Sequence, residues 1–89
     1  MKKYGRVKLL ARAFAIEILN ALNEKPLRFV DLKDYCPNDR TRAIRLKELK
    51  KLGFIVTVIE EIENHSFICY QITDKGRKAL QLIEQIEKL

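Results

Sequence analysis

Asn38 to Phe54 reads NDRTRAIRLKELKKLGF, and this stretch decides the fold. Asn38 or Asp39 supplies an N-cap, because a short side-chain acceptor satisfies an orphan N–H of a first helical turn. Gly53 follows the last periodic residue, where a helix takes a left-handed C-terminal residue. Between these signals stand good helix formers with no Pro or Gly. The spacing predicts a helix over residues 38–52. Ala43, Leu46 and Leu49 then share one side, and Arg40, Thr41, Ile44, Arg45, Lys47, Glu48 and Lys51 lie on the other. Asp39 and Glu48 are its only acids, against Arg40, Arg42, Arg45, Lys47, Lys50 and Lys51. A narrow apolar seam under a cationic, hydrogen-bonding face suits the major groove of DNA. It suits an ordinary solvated helix as well, so the rest of the chain must decide.

After Gly53 the pattern changes to period two. FIVTVIE, from Phe54 to Glu60, is β-branched and strand-like, and SFICYQIT, from Ser66 to Thr73, is a second strand. A polar turn over 61–65 joins them into an antiparallel hairpin spanning 54–72. Asp74 then caps a helix over 74–89, in which Ala79, Leu82, Ile86 and Leu89 form one stripe and Leu80 and Ile83 a neighbouring one. A doubled stripe fits one side on the chain's own core and one on a partner helix.

Upstream, a helix is expected from about Val7 to Glu24. Its apolar residues Leu9, Leu10, Phe14, Ile16, Ile18, Leu19 and Leu22 are too spread for one face, which implies burial on more than one side. Lys25-Pro26 ends it. Leu27 suits a very short strand, and Arg28 to Tyr35 a second helix with Phe29 and Leu32 inward, stopped at Cys36-Pro37. The short connection to Asn38 forces a steep packing angle, the helix-turn-helix arrangement. Residues 1–12 carry Lys2, Lys3, Arg6, Lys8 and Arg12 without an acid, a basic arm able to track phosphates or simply a solubilising terminus.

The chain has 89 residues, a net charge of +6, an apolar fraction of 47% and a charged fraction of 34%. These values describe one folded domain with a modest core. A sequence pI near 9.5 makes polyanions the default partners. No apolar run is long enough to span a bilayer, and Arg12 and Glu17 interrupt what would resemble a signal peptide, so a cytoplasmic location is expected. Cys36 and Cys69 read as reduced, buried small hydrophobes, with a disulfide as the rival. The lone His65, the scattered Gly5, Gly53 and Gly76 and the acidic turn Glu60, Glu61, Glu63 form no catalytic, phosphate-loop or metal pattern. No enzyme, no cofactor and no metal are expected.

The order helix, helix, helix, strand, strand, helix, with three motifs in register, resembles the winged helix-turn-helix transcriptional regulators of the MarR, PadR and HxlR kind, of small, dimeric, archaeal type. The motifs are EILNALNEKPLRFVDLKDYCP (17–37), RLKELKKLGFI (45–55) and YQITDKGRKAL (70–80). The resemblance implies an α+β fold of three helices, a two-stranded wing and a C-terminal helix. It implies a homodimer that binds double-stranded DNA through its third helix, here as a repressor at the nucleoid. On this reading Arg40, Thr41 and Arg45 face base edges and Ile44 a thymine methyl. Arg42, Lys47, Lys51, Lys2 and Lys3 serve phosphates, with Asn38 beside them. Leu9, Leu10, Phe14, Leu82, Ile86 and Leu89 form the dimer interface. Residues 54–72 hold three glutamates and no Lys or Arg, which departs from a phosphate-binding wing. A protein-interaction module and a non-specific architectural DNA binder are the alternatives.

Overall fold

The computed structural model describes residues 3–89. Lys2, expected at phosphate, lies outside them. Helices α1 (Gly5–Leu10) and α2 (Ala15–Glu24) lead into β1 (Leu27–Arg28) and the short 3₁₀ helix η1 (Val30–Asp34). Then come α3 (Asp39–Lys51), the hairpin β2 (Ile55–Ile62) and β3 (His65–Ile72), and α4 (Asp74–Glu87). The sheet is antiparallel in the order β1-β3-β2, so β2 is an edge. This is a winged helix with a third, two-residue strand added to the wing's base.

The single helix expected over Val7–Glu24 is two helices. Phe14 adopts φ 71, a left-handed conformation that costs a non-glycine residue about 1–2 kcal/mol. Nothing local demands the break, since residues 11–14 are helix-compatible. A tertiary bond holds it: the Arg45 guanidinium donates through Nε to the Ala13 carbonyl at 2.9 Å. Arg12 meets Glu48 at 3.1 Å beside it. The wide spread of apolar residues therefore belongs to two helices at an angle, not to one helix buried all round. Leu9, expected at a dimer interface, points into the core.

The segment expected as a helix over Arg28–Tyr35 is shorter and tighter. Arg28 is drawn into β1 by pairing with Cys69, while its side chain and backbone N–H donate to Asp31 at 3.0–3.1 Å. That hydrogen bond holds the Asp31 carboxyl below its usual range. Only Leu32 of η1 is fully buried.

The core gathers Ile18, Leu19 and Leu22 of α2, Leu32, Leu46 and Leu49 of α3, Phe54, Ile55 and Ile72, and Ala79 and Leu80 of α4. Burial of each large aliphatic contributes roughly 1.5–3 kcal/mol. Cys36 and Cys69 are both free and buried, and burial pushes both thiols up in pKa.

Two junctions fix α3 and α4 against the wing. At the end of α3, Gly53 takes φ 82, its N–H reaches the Lys50 carbonyl and the Phe54 N–H that of Leu49. This pair of hydrogen bonds is the Schellman closure that a glycine permits. The cap of α4 is Thr73, not the expected Asp74: Thr73 Oγ1 accepts from the Gly76 N–H at 3.1 Å and donates to the Gly53 carbonyl at 2.6 Å. Gly76 lies where a Cβ would stand 2.3 Å from the Phe54 carbonyl oxygen, so α4 packs there only through glycine.

Candidate nucleic-acid interface

Helix α3 is capped as expected, with Asn38 Oδ1 accepting from the Thr41 N–H at 2.9 Å. That bond fixes the Asn38 side chain over the first turn. The helix is rotated from the orientation its apolar residues suggest. Its buried seam is Arg42, Arg45, Leu46 and Leu49, whereas Ala43 is exposed.

Two expected DNA contacts are thereby corrected. Arg42 is 2% exposed. Its Nε donates to the Cys36 carbonyl at 2.9 Å and its outer nitrogen to the Pro37 carbonyl at 3.2 Å, and it pairs with Asp39 at 2.9 Å. Its guanidinium lies 4.5 Å from the Phe29 ring centroid. It thus ties η1, the Cys36-Pro37 turn and α3 into one unit. Arg45 is 9% exposed and is committed to Ala13 and Glu48. Both guanidinium groups are thus committed within the fold. Composition alone gives no warning of this, because arginine reads as surface charge; the one signal is spacing, since Arg42 stands four residues before Leu46 and Arg45 four before Leu49.

Both acids of the helix are paired, although the Asp39 side chain itself stays exposed. Asp39 pairs with Arg42, and Glu48 is shared by Arg12 and Arg45. What remains outside is Arg40, Ala43, Ile44, Lys47 and Lys51 in one row, with Thr41 half-buried beside it. Ile44 is 45% exposed. Arg40, Lys47 and Lys51 form no ion pair among the described residues. Lys50 reaches Thr57 Oγ1 on the wing at 3.4 Å. The outcome is an acid-free strip, cationic with one aliphatic centre, on a rigid helix.

The hairpin is longer and tighter than the expected turn over 61–65. Its register runs unbroken from Ile55–Ile72 to Ile62–His65. Glu63 and Asn64 alone make the turn, both at positive φ (51 and 68), as a two-residue hairpin loop requires.

Between α1 and α4 opens an apolar groove of about 880 Å³. Val7, Leu10, Ala11 and Ile16 line one side and Leu82, Ile83, Ile86 and Leu89 the other. Leu82, Ile86 and Leu89 are 47%, 64% and 103% exposed. Phe14 is half-buried and packs on the core instead. Lys3 lies 5.3 Å from the Tyr4 ring centroid. Among the described residues no cluster of His, Cys, Asp or Glu could hold a metal ion, and no helix is long and apolar enough to cross a membrane.

Residues 9–89 match the family model of the HxlR-like helix-turn-helix. No curated protein matches the chain. Among solved structures, the reduced form of the transcriptional regulator YodB from B. subtilis is 21% identical, with 99% of this chain and 89% of that one covered at a TM-score of 0.84. A PadR family transcription regulator from Clostridium difficile R20291 is 15% identical over 86% and 88%, with a TM-score of 0.76. B. subtilis PadR in complex with operator DNA is 22% identical over 79% of this chain and 45% of that one, with a TM-score of 0.65.

Proposed function

The chain belongs to the HxlR-like helix-turn-helix family, and we propose that it is a transcriptional regulator of double-stranded DNA: a repressor that works as a homodimer in the cytoplasm, on the nucleoid, with α3 in the major groove. One observation carries this reading, the acid-free outward strip of α3. Arg40 and Thr41 are the base-reading side chains, with Ile44 against a thymine methyl. Lys47 and Lys51 serve phosphates, and Lys3 and Lys2 add to them. The relative solved on operator DNA supports the partner class. The apolar groove between α1 and α4 supports the dimer, since so much exposed aliphatic surface is rarely left to water.

Gel shifts with random DNA and with fragments selected by the protein, at several salt concentrations, test the proposal. Selected fragments should bind at least about a thousandfold more tightly than random DNA, the lower end for specific regulators. Equal affinity for both pools makes the chain an architectural binder. No binding to either makes it a protein-interaction module, the reading that the acidic wing favours.

A further inference from the structure

The wing's chemistry is unlike that of the rest of the chain. Its inner face runs out of the core as a ladder of cross-strand pairs. Ile55–Ile72 is buried, Thr57–Tyr70 follows, and then Ile59–Ile68 stands bare at 74% and 65% exposure. The opposite face is partly covered, since the Arg28 guanidinium lies 5.1 Å from the Phe67 ring centroid. Strand β2 is the sheet edge over all eight of its residues. Edge strands are ordinarily blunted by lysine, proline or a bulge. IVTVIEEI has no lysine or proline, and its register with β3 has no bulge.

What it does have is Glu60 and Glu61 on the strand and Glu63 at the turn, with no Lys or Arg anywhere in residues 54–72. These carboxylates select among occupants. DNA is repelled, and so is the wing of a second copy, which would bring the same three charges. A cationic strand is attracted. We propose that the β2 edge with the Ile59–Ile68 face is a docking site for an extended segment of another protein, one with basic residues alternating with aliphatic ones. It adds to the sheet as a fourth strand, with backbone hydrogen bonds along β2, aliphatic side chains over Ile59 and Ile68, and cations on the opposite face at Glu60. The inference stands apart from the DNA reading of α3 and survives its failure.

The test uses the 89-residue chain, isotope-labelled, titrated with a short peptide of alternating lysine and valine. A peptide of alternating glutamate and valine serves as control. Saturable binding of the basic peptide is expected. Amide shifts should centre on Ile55–Ile62 and Ile68, and the β2 amides should gain exchange protection. Glu60→Gln, Glu61→Gln, Glu63→Gln should lower affinity about tenfold. Ile59→Lys, at an exposed position that leaves the core intact, should abolish binding. The proposal is overturned by no saturation at about millimolar peptide, equal binding of the acidic control or unchanged affinity in these variants. Shifts that map to the groove between α1 and α4, or that come without new protection on β2, overturn it equally.

Discussion

A guanidinium leaves water only where its donors find acceptors. Arg42 and Arg45 meet that condition through the carbonyls of Cys36, Pro37 and Ala13. They are legible as arginines on a helix and illegible as core, because their acceptors are backbone carbonyls, of the turn just before α3 for Arg42 and of a helix break far upstream for Arg45. Their removal should therefore act on folding. Arg42→Ala or Arg45→Ala is expected to cost about 1.5–3 kcal/mol, the range for hydrogen bonds to a charged group. Thermal unfolding should show this as a loss of about 6–24 °C. Lys51→Ala should stay within about 0.5 kcal/mol of the parent. An Arg45→Ala protein of full stability would return that residue to the DNA face. The thiols give a second residue-scale expectation. Burial raises the folded-state pKa of Cys36 and Cys69 above the unfolded value. Stability is then insensitive to these groups below an unfolded thiol pKa of about 8.5, and falls as pH rises past it, because only the unfolded chain loses its protons. Chemical denaturation between neutral and alkaline pH should show that fall, lessened in Cys36→Ala, Cys69→Ala. Alkylation should be slow in the native protein and fast when it is unfolded.

Elements read well wherever a local signal set their ends. Asn38 and Gly53 bracket α3, and the break in pattern after Gly53 announces the wing. Elements read poorly where a tertiary bond set the end, as at Phe14, whose left-handed backbone no neighbouring residue demands. The wing turn lies between these cases: Asn64 suits positive φ, but Glu63 beside it gives no such cue, so the polar run over 61–65 looked longer than the turn is. Gly76 is the sharpest elemental constraint. In Gly76→Ala the new methyl would meet the Phe54 carbonyl and the Ile72 side chain, so α4 must shift off the wing. Loss of cooperative unfolding, or a fall of more than about 3 kcal/mol, is expected from denaturant titration. The wing itself should be neutral or adverse to DNA. Replacing Glu60, Glu61 and Glu63 with glutamine should leave base preference intact and strengthen DNA binding modestly, by removing like-charge repulsion. A loss of binding in that variant would mean that the acids contact the duplex or fix the wing.

At the scale of the whole molecule, the chain separates its surfaces: a cationic strip on α3, an acidic aliphatic wing, and an apolar groove between α1 and α4. The groove was half legible. Leu82, Ile86 and Leu89 appeared as a surplus stripe, but Leu9 went to the core and Val7 took its place, because the helix break resets the facing of α1. Sedimentation of Leu82→Glu, Ile86→Glu should show monomer where the parent sediments as dimer. A parent protein that is monomeric at tens of micromolar removes the dimer from the account. The central claim is that DNA is read by the outward strip of α3 and not by its arginine-rich seam. It is tested most directly by the salt dependence of binding to a fragment selected from random-sequence DNA, measured for the parent, for Lys47→Ala, Lys51→Ala and for Arg40→Ala. Loss of the two lysines should weaken binding to every sequence alike and lower the slope of log affinity against log salt by about two. Loss of Arg40 should cost about 1–3 kcal/mol on the selected fragment and relax preference at one base pair. Unchanged slope and unchanged preference in these variants, with folding intact, would contradict the assignment of α3 as the reading helix.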